Sequence, residues 1–374
     1  MKIGVDAYYL YSRINTGVGN YVHRLFYELS KLDCENEYYL YMPFLKNADL
    51  TEDMFSNPNF NLREIKGVFM NNRRLWLQSP SLRKQIKTDG IQLFFGGGEY
   101  FPLFLPRKIK VAVTIHDVVF KLFPDTITIG NKLFYNLFFP FFIKKANWFF
   151  TGTETSRSEL KQYLRIDKEI FVIYNGLDKS KYIPPDDIEK DDYILFVGTL
   201  QPRKNLKGLI QAYNIISNKI KERLVIVGAS GWKNSSLNTL IGNLPESTLK
   251  KIDFKGYVSG DELISLYQRA KIFAAPSLHE GFGLIILEAM SSKTPVMSTR
   301  RGSIPEVFGD AVLYADPLSP EDIAQKILNL IHDEAGRESL VRKGLILAEK
   351  YSIRNQALGY IYIFKYISIN IPMY

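Results

Sequence analysis

Two glutamates, Glu280 and Glu288, bracket the segment Gly281-Phe282-Gly283-Leu284-Ile285-Ile286-Leu287. From Leu284 to Met290 only Glu288 is polar, so as a helix this stretch is apolar all round and belongs in a core. A carboxylate buried there without a partner costs roughly 1–3 kcal/mol, so Glu288 must meet a protein group or a ligand. The glycines ahead of the helix leave backbone N–H groups unobstructed at its N-terminus, where the dipole favours an anion such as phosphate. Glu280, in the polar loop, reads as an exposed carboxylate. A plain helix cap with a buried ion pair would leave the same pattern.

A second group with chemical potential is Arg203-Lys204, in Gly198-Thr199-Leu200-Gln201-Pro202-Arg203-Lys204-Asn205. It follows the apolar run Tyr193 to Val197, which reads as a strand. Adjacent cations at the top of a parallel sheet, aimed into a cleft, would neutralise a diphosphate and the charge it develops on departure. Solvated surface charge is the simpler alternative. His116-Asp117 closes the strand pattern Lys110 to Ile115, and ligands collect outside the carboxyl ends of parallel strands. A lone histidine is often structural, but at a strand end His116 is a candidate ligand contact, with Asp117 orienting the loop.

These residues need a scaffold of alternating strands and helices. Lys2 to Val5, the loop Thr16-Gly17-Val18-Gly19-Asn20 and a helical pattern through Tyr21, Leu25, Phe26 and Leu29 form a βα unit. The loop lacks the full Gly-x-Gly-x-x-Gly fingerprint and is not read as an NAD site. Further strands are expected at Tyr38–Met42, Asn61–Val68, Ile91–Phe95, Phe171–Tyr174, Leu224–Gly228, Ile252–Gly256, Ile272–Ala275 and Pro295–Ser298. The segment from Lys181 to Asp192, with paired prolines and charges, has linker composition. The fold class is therefore α/β. The expected domains are 1–180, completed by a helix near 355–374, and 193–354, joined by a linker at 181–192.

Composition narrows the function. The 374 residues suffice for two cores, and the net charge of +9 favours acidic partners such as nucleotide phosphates or anionic lipid. A single cysteine, Cys34, excludes an internal disulfide or a Cys-clustered zinc site and suits a reducing cytosol. With no Asp-x-Asp and four scattered histidines, nothing argues for a metal. The apolar run at Met1–Asp6 is too short for a signal peptide. Between Arg63 and Lys87, the cations Arg63, Lys66, Arg73, Arg74, Arg83, Lys84 and Lys87 are interleaved with Leu75 and Trp76. This run could hold a lipid headgroup or a polyprenyl diphosphate, or be a solvated helix face; no motif supports nucleic acid. Asn131 to Trp148 is the most aromatic stretch. It is too interrupted to span a membrane, core packing is its default reading, and a face dipping into a membrane interface is the alternative.

The Glu280-x7-Glu288 segment, with Gly-Phe-Gly between, resembles the signature of family 4 retaining nucleotide-sugar glycosyltransferases of the GT-B class. The likeness runs from Val5 to about Ser352. It includes Asn175-Gly176-Leu177-Asp178, the turn ending Pro305-Glu306, and Pro202-Arg203-Lys204-Asn205. The last is similar to the diphosphate loop of bacterial O-antigen mannosyltransferases, with Gln201 in place of Glu. The resemblance implies two Rossmann-like domains with parallel sheets facing across a cleft. It implies that Glu280 and His116 meet the donor sugar, Glu288 the ribose, and Arg203 and Lys204 the diphosphate. Backbone groups of Gly281, Phe282, Gly283 and Leu284 would meet sugar and phosphates, Val258 the base, and Gly17 and Gly19 the sugar and acceptor. The implied reaction is metal-independent hexose transfer, best matched to GDP-mannose, onto a glycan or polyprenyl-diphosphate-linked acceptor. The expected location is the cytoplasm or the inner membrane face. A UDP-sugar donor, a nucleotide-sugar epimerase and a non-catalytic nucleotide-sugar-binding scaffold are the alternatives.

Overall fold

The computed structural model describes residues 1–11, 17–44, 56–67, 69–185, 188–228 and 235–370. Thr16, Val68, the Asp186-Asp187 pair and tail residues 371–374, all within segments read above, lie outside them.

Two parallel sheets organise the described residues. The first contains β1 (Lys2–Asp6), β2 (Glu37–Met42), β3 (Phe60–Glu64), β4 (Leu93–Gly96), β5 (Lys110–Thr114), β6 (Trp148–Thr151) and β7 (Ile170–Val172), in the order 3-2-1-4-5-6-7. The second contains β8 (Asp191–Val197), β9 (Arg223–Val227), β10 (Ile252–Gly256), β11 (Ala270–Ala274), β12 (Val296–Thr299) and β13 (Leu313–Ala315), in the order 10-9-8-11-12-13. Both faces of each sheet are covered by helices, which is why strands such as β8 read as unbroken apolar runs; Tyr193 through Val197 are all buried. The winding reverses between β1 and β4 in one sheet and between β8 and β11 in the other. These two points are where an open α/β sheet leaves a crevice for a ligand.

The helix Ile353–Ile369 returns to the first sheet. Its Tyr360 stacks on Phe150 at 5.0 Å and Phe364 meets Phe95 at 5.6 Å, while the Tyr21 and Tyr360 hydroxyls bond to each other.

The halves are also tied near the crevice. Glu306, from the second half, accepts the Glu154 and Thr155 N–H groups at 2.7 Å each, the Thr155 hydroxyl at 2.6 Å and the Tyr174 hydroxyl at 2.9 Å. A carboxylate of one half thus caps the Glu154–Leu164 helix of the other. Glu306→Ala is expected to cost about 2–3 kcal/mol in urea unfolding, because charged hydrogen bonds are lost and the helix donors are left open. Glu306→Gln should retain part of that, since its amide oxygen still accepts.

Four expectations are corrected. β3 ends at Glu64, and β8 begins at Asp191, inside the expected linker. The basic run 63–87 is not one solvated or lipid-facing surface. Arg73 is buried on Asp6 at 2.6 Å, Arg63 pairs with Asp89 at 3.1 Å, Arg74 donates to the Tyr100 hydroxyl at 2.7 Å, and Trp76 is fully buried. The Asn131–Trp148 stretch is two helices, Ile129–Leu137 and Phe139–Lys145, and only one side of them is core.

Candidate active site

A cavity of about 390 Å³ lies where the carboxyl ends of the two sheets meet. The first half contributes Tyr9, Gly17, Val18, Tyr21, His116, Asp117 and Asn175; the second contributes Arg203, Lys204, Glu280 and the run Gly281 to Ile285.

Arg203 and Lys204 follow β8 on a short turn, Pro202–Lys204, closed by Asn205 in the left-handed conformation. Asn205 fixes the turn from both sides. Its Nδ2 donates to the Pro276 carbonyl at 3.1 Å and the Pro317 carbonyl at 2.7 Å, while its Oδ1 caps the Gly208 N–H at 3.3 Å. The loop after β8 is thereby locked to the loop after β11, which carries Glu280. Glu280 Oε1 accepts from Lys204 Nζ at 2.6 Å and Ser277 Oγ at 2.6 Å, and Oε2 from Arg203 Nη1 at 3.2 Å. Arg203 Nη1 also donates to the His279 carbonyl at 3.1 Å.

Glu280 is therefore not the exposed carboxylate expected from its polar loop; it is 6% exposed and ion-paired. The loop is polar because its groups bond each other and the neighbouring loops, not because they meet water. Burial pushes the Glu280 carboxyl up, but Lys204 and Arg203, with the hydrogen bonds from Lys204 and Ser277, outweigh it and hold the pKa at about 2. Burial, reinforced by Arg203, draws the Lys204 pKa down against the pull of Glu280.

A folded pKa of about 2 against an ordinary value of 4.5 has a defined sign. The stabilisation is complete above pH 4.5 and is lost as pH falls from there to 2; the gap corresponds to about 3 kcal/mol. Denaturant unfolding across that window should therefore be less pH-dependent in Glu280→Gln than in wild type.

His116 follows β5. Its Nε2 lies 3.2 Å from the Gly97 carbonyl, which only accepts, so Nε2 carries the proton and Nδ1 is left as an acceptor. The ring stands edge-on to Tyr21 at 4.6 Å. Burial lowers its pKa, with Asp117 and the Gly97 bond opposing, so the imidazole is neutral near pH 7. Asp117 Oδ1 accepts the Val119 N–H at 3.1 Å and fixes the loop, as its strand-end position suggests.

The loop from His279 to Gly283 touches both halves. Thr153 Oγ1 and Ser156 Oγ each donate to the Gly281 carbonyl at 3.2 Å, and His279 Nε2 lies 2.8 Å from Glu159 Oε1. Gly281 is needed for this approach, since a Cβ there would sit 2.9 Å from the His116 carbonyl. Gly283, at φ +93°, turns the chain into the Leu284–Ser291 helix. That helix is buried from Ile286 onward, as its sequence requires, and its N-terminus opens on the cavity.

Glu288 has the partners its burial demands: Tyr182 on Oε1 and Tyr267 on Oε2, both at 3.1 Å, and Arg24 Nη2 of the first half at 3.8 Å. Burial raises its pKa; Arg24 and the two tyrosines hold it back. Glu288 is not on the cavity wall, nor are Gly19, which is buried in the Gly17–Leu32 helix, and Val258, which is half-buried after β10. The sequence reading had grouped all three with the ligand. The other nine assigned residues share the one cavity. Tyr9, Tyr21, Asn175 and Ser277 were not assigned. Asn175 sits inside the Asn175-Gly176-Leu177-Asp178 turn and Ser277 three residues ahead of Glu280, whereas nothing local in the sequence marks Tyr9, Tyr21 or Arg24. Among the described residues no group of three or more His, Cys, Asp or Glu is placed to hold a metal.

Residues 15–181 match the family profile "Glycosyltransferase Family 4", and residues 178–345 match "Glycosyl transferases group 1". O-antigen chain mannosyltransferase B of Escherichia coli is 32% identical over 266 residues, 67% of this chain and 69% of that protein. The chain belongs to the family 4 glycosyltransferases. This glycosyltransferase is also similar to O-antigen chain mannosyltransferase RfbU of Salmonella typhimurium, 30% identical over 60% of the chain and 62% of the relative. Its match to serotype-specific mannosyltransferase WbdA of E. coli, at 34%, spans 48% of the chain and only 22% of that longer protein. Sucrose-phosphate synthase of Thermosynechococcus elongatus shares the fold with a TM-score of 0.77 at 16% identity, over 99% of this chain and 100% of that one. The GT-B architecture of the glycosyltransferase follows from that likeness and from the two parallel sheets.

Proposed function

We propose that this glycosyltransferase moves mannose from GDP-mannose, with retention of anomeric configuration, onto a sugar hydroxyl of a glycan or polyprenyl-diphosphate-linked acceptor in cell-surface polysaccharide synthesis. The observation that carries the reading is the convergence of Arg203, Lys204 and the Leu284–Ser291 helix N-terminus, across one cavity, on His116 of the other half. Arg203 and Lys204 set two cations beside the backbone donors of the helix, countered by Glu280 between them and by Asp117 on the first-half wall. Paired cations beside backbone donors are what a departing nucleoside diphosphate requires. In the proposed step the bond from the sugar C1 to the diphosphate oxygen breaks, the acceptor oxygen bonds C1 on the same face, and the acceptor proton passes to the diphosphate. Glu280 and Glu288 are each committed to protein partners, which favours this route over a glutamate nucleophile. The neutral His116, with Nδ1 open, is suited to accept a hydrogen bond from a sugar hydroxyl. Residues Glu288 and Val258 are proposed for ribose and base, a role that requires rearrangement of the Arg24 contact at Glu288.

The mannosyltransferase relatives support mannose as the sugar transferred, and GDP is proposed with it from the resemblance of the Pro202–Asn205 loop. A cytoplasmic location is supported by the exposed, unpaired Cys34. The test is a thermal-shift panel of GDP-mannose, GDP, UDP, UDP-glucose, UDP-galactose and UDP-GlcNAc, since a ligand of the folded state raises the midpoint by mass action. A response to the guanine compounds alone supports the proposal. A response to UDP compounds alone replaces the donor, and no response from any of the six removes both donor assignments.

A further inference from the structure

The helices Ile129–Leu137 and Phe139–Lys145 are held to the first core from one side only. Phe139 and Phe142 are buried in it and Phe134 and Tyr135 pack against it. On the outer side Ile129 (85% exposed), Leu133 (57%) and Leu137 (54%) fall four residues apart along one helical face, and Phe138 (54%) and Phe141 (63%) extend that surface. Phe138 stacks on Phe134 at 5.9 Å, yet each of the five residues is more than half exposed. A run of large apolar side chains left in water beside charged neighbours marks an interaction surface.

The chemistry next to this face selects its partner. A cavity of about 440 Å³ opens between the two helices and the end of the Glu154–Leu164 helix, bordered by Lys121, Lys144 and Arg165, with Asp167 as the one carboxylate among the described residues that line it. Lys168 also borders it but spends its ammonium on the carbonyls of Ile143, Lys144 and Ala146, at 3.2, 2.6 and 2.6 Å, closing the end of the second helix. We propose that this face docks onto a bilayer rich in anionic lipid, the five apolar side chains entering the interface and the basic cavity meeting lipid phosphate. An apolar centre with a basic margin complements acyl chains under anionic headgroups. No helix among the described residues is long and apolar enough to cross a membrane, so the contact lies along the surface.

The docking face is joined to the crevice. The Tyr135 hydroxyl donates to Glu99 at 2.8 Å, and Glu99 stands two residues after Gly97, whose carbonyl holds His116. A bilayer on this face therefore lies beside the loop that shapes the first-half wall of the cavity, where a lipid-linked acceptor would arrive. The proposal itself stands on the surface chemistry and does not depend on the donor assignment.

The test is co-sedimentation of the full chain with phosphatidylcholine vesicles, alone or with about one-third phosphatidylglycerol, at low and moderate salt. Wild type should sediment with the anionic vesicles and less so as salt rises. The triple variant Leu133→Gln, Leu137→Gln, Phe141→Gln and the double variant Lys121→Glu, Lys144→Glu should each weaken binding at least about tenfold. Both change exposed positions and should keep the wild-type circular dichroism and melting midpoint. The proposal is overturned if wild type ignores anionic vesicles, if it binds neutral ones equally well, or if either variant binds like wild type. Self-association in sedimentation velocity that the triple variant abolishes would also overturn it, assigning the face to a second copy. Because the readout is binding without donor or acceptor, failure here leaves the transfer reaction untouched, and failure of the nucleotide panel leaves this contact untouched.

Discussion

Replacing Lys204 with alanine is expected to lower kcat/KM for the donor by roughly 10²–10³, the usual loss when one preorganised group facing a developing charge is removed. Lys204 is buried, 2.6 Å from Glu280, and held by a turn that Asn205 locks to the opposite loop. Its charge is therefore placed before any donor binds, and reorganisation contributes little to its cost. Arg203 remains in the variant but lies farther from Glu280, at 3.2 Å, and shares its Nη1 with the His279 carbonyl, so it compensates only in part. Steady-state kinetics with calorimetric donor affinity will separate binding from turnover. Equal affinity in wild type and Lys204→Ala would remove the diphosphate assignment.

Glu280→Ala should have the largest effect on stability, a loss of about 3–5 kcal/mol in urea unfolding, because buried Lys204 and half-buried Arg203 are left without their carboxylate. Glu280→Gln, which keeps an acceptor but not the charge, should lose less. The charge imbalance makes a second, distinguishing expectation. GDP or inorganic diphosphate should raise the melting midpoint of Glu280→Ala more than that of wild type, since the anion restores the missing counter-charge. If both proteins respond equally, phosphate does not bind at Arg203 and Lys204.

Much of this arrangement was legible in the chain. The strands were readable because parallel strands covered on both faces are apolar at consecutive positions, as in β8. The buried helix at Leu284–Ser291 was equally plain, and so was the need of Glu288 for partners, because one carboxylate in an apolar helix has few physical solutions. What local sequence does not carry is which distant residue answers a charge. Glu280 read as exposed because Arg203 and Lys204 approach it from another loop. Arg73 read as part of a solvated basic run because Asp6, its partner, lies on β1. Arg24 carries no signal in its own helix, and only the apposition of the two halves brings it toward Glu288. The aromatic helices were ambiguous for the opposite reason: a helix that is apolar on both sides fits a core and a surface contact equally, and only the fold decides which side faces out.

The most direct measurement is a crystal structure of the protein with GDP. The account predicts the diphosphate within hydrogen-bond distance of Lys204 or Arg203 and of the backbone N–H groups at Gly283 and Leu284. GDP bound with its phosphates away from this junction would contradict the account.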